Sequence, residues 1–289
     1  MKLIIGTANF LKQYGLMKTY VKKSEVFKIF KFIKDKKINN IDSAIIYDNF
    51  FKLKKKINFR NININTKIFF KDEDFKNNLF KKKYLKIIKD KININNLEKF
   101  DTIFIHNFEK IRKKNYDKVF DFMNEIRSYK LTKNIGVSLY NPKYLKKIKK
   151  EYKLDIVQAP INLVDRRFLS ANVKKIIKKK NLLLQARSIF LQGTLLNNYK
   201  SMKFFRLKKK NIFSDYNNWC IDNEIEKRTG CINFIKDQKI IHSVVIGVDS
   251  LTQCKQIYND YVSRSKKNYP KKIFSMDKNL IDATKWQKN

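Results

Sequence analysis

The sequence predicts an α/β fold, a single closed (β/α)8 barrel of the TIM-barrel type. Three observations predict it. Short apolar runs alternate with amphipathic helical stretches along all 289 residues, the pattern of parallel strands joined by helices. Polar residues suited to chemistry stand at or just past the ends of those runs, the face where such barrels gather their active sites. The length fits one barrel of about 250 residues plus a tail, and a hydrophobic content of 43% supplies its core.

The elements follow in order. Leu3 to Ile5 reads as the first strand. Ser24 to Lys36 is an amphipathic helix with Val26, Ile29, Phe30 and Ile33 on one face. Asn40 to Ala44 and Ile62 to Lys67 are the second and third strands, and Leu79 to Ile92 is a lysine-studded helix. Thr102 to His106 is the fourth strand, Tyr116 to Tyr129 a helix, and Asn134 to Ser138 the fifth strand. Pro142 suits the first turn of a helix, where a missing N–H costs nothing; that helix runs to about Tyr152. Asp155 to Ala159 is the sixth strand, Ser170 caps a helix to Lys180, and Leu182 to Arg187 is the seventh strand. Gln192 to Asn217 has no clean period, and its length marks a functional loop. A helix from Tyr216 to Lys236, the eighth strand from Ser243 to Ile246 and a helix from Leu251 to Asp260 complete the pattern. A tail from about residue 265 holds one more helix. With no repeat and no Pro/Gly/Ser linker, residues 1–289 read as one domain.

The net charge of +40 points at first to nucleic acid or an anionic membrane. The lysines are spread from end to end and travel with abundant Asn, Ile and Phe, which AT-rich codons specify. No aromatic RNA-binding string is present. The expected partner is a small molecule, with no specific nucleic acid and no membrane. No apolar run approaches the length of a membrane span, and the N-terminus enters a strand with no signal-peptide pattern, so a cytoplasmic location is expected. Cys220, Cys231 and Cys254 match no zinc spacing. They read as reduced, partly buried thiols, and no metal site is expected.

Asp42, Tyr47, Lys67 and His106 close or follow the second, third and fourth strands. A carbonyl reduction needs a hydride at carbon and a proton at oxygen, with donors aimed at the oxygen as charge develops. A tyrosine of ordinary pKa, about 10, is a poor acid near neutrality. An adjacent ammonium favours its phenolate and lowers that pKa. In this reading Tyr47 is the acid, Lys67 tunes it, Asp42 holds Lys67 and His106 orients the substrate oxygen. His242, before the eighth strand at the opposite face, reads as structural. Asp165, Arg166 and Arg167 follow the sixth strand and either form a loop-fixing ion pair, the favoured reading, or touch the cofactor.

These residues resemble the aldo/keto reductase family. Its Asp-Thr-Ala-x-x-Tyr pattern stands here as Asp42-Ser43-Ala44-Ile45-Ile46-Tyr47. Thr66-Lys67, Ile105-His106-Asn107, Gly136-Val137-Ser138 and Val157-Gln158-Ala159-Pro160-Ile161-Asn162 are similar to its later strand ends. Ile246-Gly247-Val248-Asp249-Ser250-Leu251-Thr252-Gln253 resembles its dinucleotide-phosphate loop, and Gly6-Thr7-Ala8 and Tyr14-Gly15 also fit. The resemblance implies a TIM barrel, reduction of an aldehyde, ketone or sugar, and NADP or NAD as cofactor, with NADP favoured. It places Gly6, Thr7, Asp42, Ser138, Gln158, Arg187 and Ser188 near the nicotinamide. Leu191 and Gly193 belong to the same cofactor-binding set, and Gly247, Ser250 and Gln253 fall near the phosphates or adenosine. Three positions depart from the family: Leu139 replaces an Asn, Arg187 replaces a stacking aromatic, and Asp249 stands where many relatives carry a cation for the 2′-phosphate. The stretch Arg187 to Gly193 is similar to sugar- or polysaccharide-associated members. Two other functions remain open at this point: a nicotinamide-binding redox sensor with little turnover, and a nucleic-acid binder.

Overall fold

Strand β1 (Lys2–Gly6) bonds to both β2 (Asn40–Asp42) and β8 (Ile241–Gly247), so the sheet closes on itself. Strands β3 (Asn63–Ile68), β4 (Phe100–Ile105), β5 (Thr132–Ser138), β6 (Ile156–Pro160) and β7 (Leu183–Arg187) complete a parallel ring in sequence order. The structure is a computed structural model that describes residues 1–15, 18–46, 53, 57, 59–76, 79–197, 210–263, 269 and 273–282. Strands covered on both faces carry continuous apolar runs, and β6 is buried at every position.

Helices α1 (Lys23–Asp35), α2 (Leu79–Ile94), α3 (Tyr116–Ser128), α4 (Ala171–Lys179), α5 (Lys210–Asp222) and α6 (Lys227–Lys236) lie between strands, and α7 (Leu251–Val262) and a short α8 (Lys278–Ile281) follow β8. In α1, Val26, Ile29, Phe30 and Ile33 are all buried, while Lys28, Lys31 and Lys34 between them are exposed. This spacing is one apolar stripe on a helix of period 3.6, and it puts the lysines on the outside. The tail packs back: Ile273, Leu280 and Ile281 join the core, and the Ser275 N–H donates to the Val164 carbonyl at 3.0 Å. Among the described residues, no helix is long and apolar enough to cross a membrane.

Several expectations are corrected. The helix expected from Pro142 to Tyr152 is two short 3-10 segments, 142–147 and 150–152. Lys143, Lys146, Lys147, Lys149 and Lys150 would stack like charges three and four apart on an α-helix. Leu145, Ile148 and Tyr152 are buried nonetheless, and Tyr152 stacks on Phe120 with ring centroids 4.0 Å apart. The helix expected from Tyr216 to Lys236 is two, α5 and α6. Between them Glu224 takes a left-handed backbone (φ 52°), and the Asn223 side chain donates to the Trp219 carbonyl at 2.8 Å, a local bond that competes with helix continuation. The expected loop from Gln192 to Asn217 includes the start of α5, and residues 198–209 lie outside the described residues. Ser170 occupies the N-cap of α4, but its side chain makes no capping bond. His242 lies within β8, at its N-terminal end.

Candidate active site

Asp42 is the last residue of β2 and sits opposite Asn65 of β3. Lys67 follows two residues later, on the same face of the strand. Their side chains are 9% and 6% exposed and form an ion pair. The Lys67 ammonium also donates to the Ser43 carbonyl at 3.1 Å. Burial pushes the Lys67 pKa below its ordinary value, and the Asp42 carboxylate opposes that shift. The second Asp42 oxygen accepts from Gln158 Nε2 of β6 at 2.8 Å. That same nitrogen donates to Gln185 Oε1 of β7 at 2.7 Å, and Gln185 Nε2 donates to the Ser243 hydroxyl of β8 at 3.0 Å. A line of polar side chains therefore crosses the barrel from β3 to β8.

His106 follows β4 and is fixed by its backbone N–H, which donates to the Ile68 carbonyl at 2.8 Å. Its ring stands edge-on to Phe69, centroids 6.2 Å apart. Burial pushes its pKa down to about 3, helped by the charges of Lys67, Arg187 and Lys110. The imidazole is therefore neutral at physiological pH and offers one N–H donor. Its Nδ1 is buried without a hydrogen-bond partner among the described residues.

Arg187 ends β7. Its guanidinium carbon lies 4.2 Å from the centroid of the Tyr140 ring, and Nη1 donates to the Ser188 hydroxyl at 3.3 Å. Tyr140 is held by the Glu109 carboxylate, which accepts from the Tyr140 and Asn141 backbone N–H groups at 2.7 Å each. Beyond β7, Ser188, Leu191 and Gln192 adopt left-handed φ values of 56°, 46° and 55°. Such values are costly for residues with a Cβ and concentrate at functional sites. Asn162 explains part of how this turn is held: its Nδ2 donates to the Ser188 carbonyl at 3.1 Å, while its Oδ1 accepts from the Val164 and Asp165 N–H groups. Arg167 pairs bidentately with the fully buried Asp165, a loop-fixing arrangement. The 3-10 turn they brace carries no residue of the cavity wall.

The cavity these residues wall has a volume of about 370 Å³, within the usual range for small-molecule sites. Gly6, Thr7, Asp42, Lys67, His106, Ser138, Gln158, Arg187, Ser188, Gly193, Gly247 and Gln253 all line it. Two expected residues do not. Leu191 is buried at 2% exposure, and Ser250 caps α7 by accepting from the Gln253 N–H at 3.1 Å. Tyr47 lies outside the described residues. Leu139 turns into the core and is fully buried. The sequence reading missed Asn9, Tyr140 and Gln185. Asn9 donates to Asp249 at 2.7 Å across 240 positions and ties the β1 exit to the β8 exit; no local pattern announces such a bond.

A closed parallel barrel with a cavity at the C-terminal ends of its strands has the architecture in which TIM-barrel enzymes build their sites. Residues 2–269 match the model of the aldo/keto reductase family. The chain belongs to that family and is an oxidoreductase of its type. No curated protein sequence matches the chain. Among solved structures it is similar to an aldo-keto reductase from Bacillus halodurans, in its holo form, with a TM-score of 0.72 and 15% identity over 92% of this chain and 88% of that one. It is also similar to an aldo-keto reductase enzyme from a Medee basin deep-sea metagenome library, with a TM-score of 0.65 and 15% identity over 99% and 92% of the two chains. At these identities the likeness is one of fold.

Proposed function

We propose that this protein reduces a small carbonyl compound, an aldehyde, ketone or sugar, to an alcohol, with a nicotinamide cofactor, NADP or NAD. The observation that carries the reading is the buried Lys67–Asp42 pair in the wall of a cavity it shares with a neutral His106.

The residues present fit a nicotinamide dinucleotide. Among the described residues, Gln158 Oε1 and His106 Nδ1 are buried without hydrogen-bond partners, a costly state in a protein interior. A Cβ added at Gly247 would meet nothing within 4 Å, so protein packing alone does not account for the open space beside this cavity residue. Gly6, Thr7, Ser138, Gln158, Arg187 and Ser188 would surround the nicotinamide end, with Leu191 and Gly193 supporting the turn beyond β7. Gly247, Ser250 and Gln253 would serve the phosphate and adenosine end, Ser250 by capping the helix that carries Gln253.

When bound, a reduced nicotinamide cofactor would supply the hydride that the carbonyl carbon needs. Tyr47 donates the proton that the carbonyl oxygen takes up. Lys67 favours the phenolate with its positive charge, and Asp42 fixes Lys67. Neutral His106 donates a hydrogen bond to the carbonyl oxygen and orients it. Acid catalysis of this kind contributes about 10²–10⁴ in rate.

The test is a carbonyl panel assayed with cofactor deuterated at the nicotinamide C4 position. Deuterium on the carbinol carbon of a product is the expected result. A cofactor-bound protein that transfers no deuterium to any aldehyde, ketone or sugar would overturn the reductase reading and leave the sensor reading standing.

A further inference from the structure

The two ends of the cavity differ in charge. Four side chains of formal charge line it among the described residues: Asp42, Lys67, Arg187 and Asp249. Both cations belong to β3 and β7, at the end that would hold the nicotinamide. The end past β8 carries Asp249 alone. Asp249 is exposed, and its Oδ1 accepts from Asn9 Nδ2 at 2.7 Å, a bond that orients the carboxylate. Its second oxygen has no partner among the described residues.

The turn around Asp249 has already used donors that an anion would want. A helix N-terminus offers backbone N–H groups to a phosphate. At the start of α7 the Leu251 N–H instead donates to Glu25 Oε1 of α1 at 2.6 Å. The Gln253 N–H donates to the Ser250 hydroxyl at 3.1 Å, and the Asp249 N–H to Gln253 Oε1 at 2.7 Å. Glu25 thus lodges a second carboxylate where an anion would bind. Its neighbour Lys28, 3.7 Å away, is 63% exposed and pairs with Glu25 itself. The loop from Gly247 to Gln253 contains no lysine or arginine.

We propose that this chain selects NADH over NADPH, and that Asp249, backed by Glu25, makes the selection. The proposal rests on the nicotinamide reading, with its phosphate and adenosine end at Gly247, Ser250 and Gln253, and names the dinucleotide. The two cofactors differ by one phosphate monoester on the ribose 2′-oxygen. That group carries close to two negative charges near neutrality, and here it would meet two carboxylates. A 2′-hydroxyl is a hydrogen-bond donor, and an ionised carboxylate is a strong acceptor for it; the same pairing serves NAD in other dinucleotide folds. One side chain therefore attracts the right cofactor and repels the wrong one, as specific sites commonly do. The overall field works the other way. A net charge of +40 favours the more negative NADPH, so a preference for NADH reports the local carboxylates.

Anaerobic fluorescence titration of the full chain with NADH and with NADPH reads both dissociation constants without turnover. NADH is expected to bind about tenfold or more tightly than NADPH, the scale of one hydrogen bond to a charged group. Asp249→Asn, which keeps the acceptor for Asn9, should shrink that ratio through tighter NADPH and weaker NADH. Asp249→Lys should invert it. Glu25→Gln, which keeps the acceptor for the Leu251 N–H, should strengthen NADPH alone. Competition by 5′-AMP and by adenosine 2′,5′-bisphosphate should follow the same order, which assigns the effect to the adenosine end. Equal or tighter binding of NADPH by the wild-type chain would overturn the proposal. So would a ratio unmoved by Asp249→Asn in a variant that unfolds at the wild-type temperature. Binding of neither dinucleotide would overturn the nicotinamide reading itself, a result distinct from a reversed preference.

Discussion

The Gln158 amide donates to the Asp42 carboxylate at 2.8 Å, joining residues 116 positions apart in sequence. The bond orients both groups. It occupies the Asp42 oxygen that Lys67 does not use, and it turns Gln158 so that Nε2 also reaches Gln185 while Oε1 is left unpartnered. Asp42, at the centre of the proposed chemistry, is therefore held from two sides, by Lys67 of β3 and by Gln158 of β6.

Gln185 acts at one remove in this arrangement, as a positioning residue. Gln185→Leu removes the acceptor for Gln158 Nε2 and the donor to Ser243. The expected stability loss is about 1–3 kcal/mol, the cost of leaving buried polar groups unpaired, read by urea unfolding. Cofactor affinity should fall several-fold as Gln158 loses its orientation, with a smaller change in turnover at saturation. Gln185→Glu, which keeps the acceptor, should restore part of the affinity.

Tyr47→Phe should lower turnover by two or more decades and leave cofactor affinity nearly unchanged, as for a lost general acid. Lys67→Met should act in the same direction, because in the proposed mechanism Tyr47 then loses the charge that favours its phenolate. Near-full activity of Tyr47→Phe on a confirmed substrate would remove Tyr47 from the mechanism.

Much of this site was legible in the sequence because a barrel converts strand ends into one face. Asp42, Lys67 and His106 each fall at or just past the end of an apolar run, and the fold needs no further information to bring them together. Other partners were not legible. Asn9 and Asp249 meet because β1 and β8 are neighbours in a closed ring, and Gln185 is marked by no motif. The segment after Pro142 reads as a helix in the sequence because a proline suits a helix's first turn; the same proline opens a 3-10 turn here, and Leu145, Ile148 and Tyr152 reach the core without an α-helix.

Two barrel glycines, Gly136 packed in β5 and Gly247 in the cavity wall, should respond in opposite ways. A Cβ at Gly136 would lie 2.3 Å from the Phe104 ring, so Gly136→Ala should cost about 1–3 kcal/mol through overpacking. A Cβ at Gly247 meets nothing within 4 Å. Gly247→Ala should leave stability unchanged and weaken cofactor binding by filling the cavity. Thermal unfolding and cofactor titration on both variants separate the two effects.

His106 should make the fold acid-sensitive. Its pKa is about 3 in the folded chain against an ordinary value of 6.5. Between these values the unfolded chain binds a proton that the folded chain does not, so stability rises with pH through this window and is lost as pH falls. Urea unfolding of wild type and His106→Gln near neutrality and near pH 5 should show a smaller acid loss in the variant. Equal losses would mean that His106 is not held neutral by burial.

The central claim, that the barrel mouth binds a nicotinamide cofactor, is tested most directly by anaerobic fluorescence titration of the folded chain with NADPH and with NADH, which needs no knowledge of the substrate. Saturable binding of at least one, weakened by Gly247→Ala and by Gln158→Leu, is the expected result. A folded sample that binds neither cofactor at millimolar concentration would contradict it.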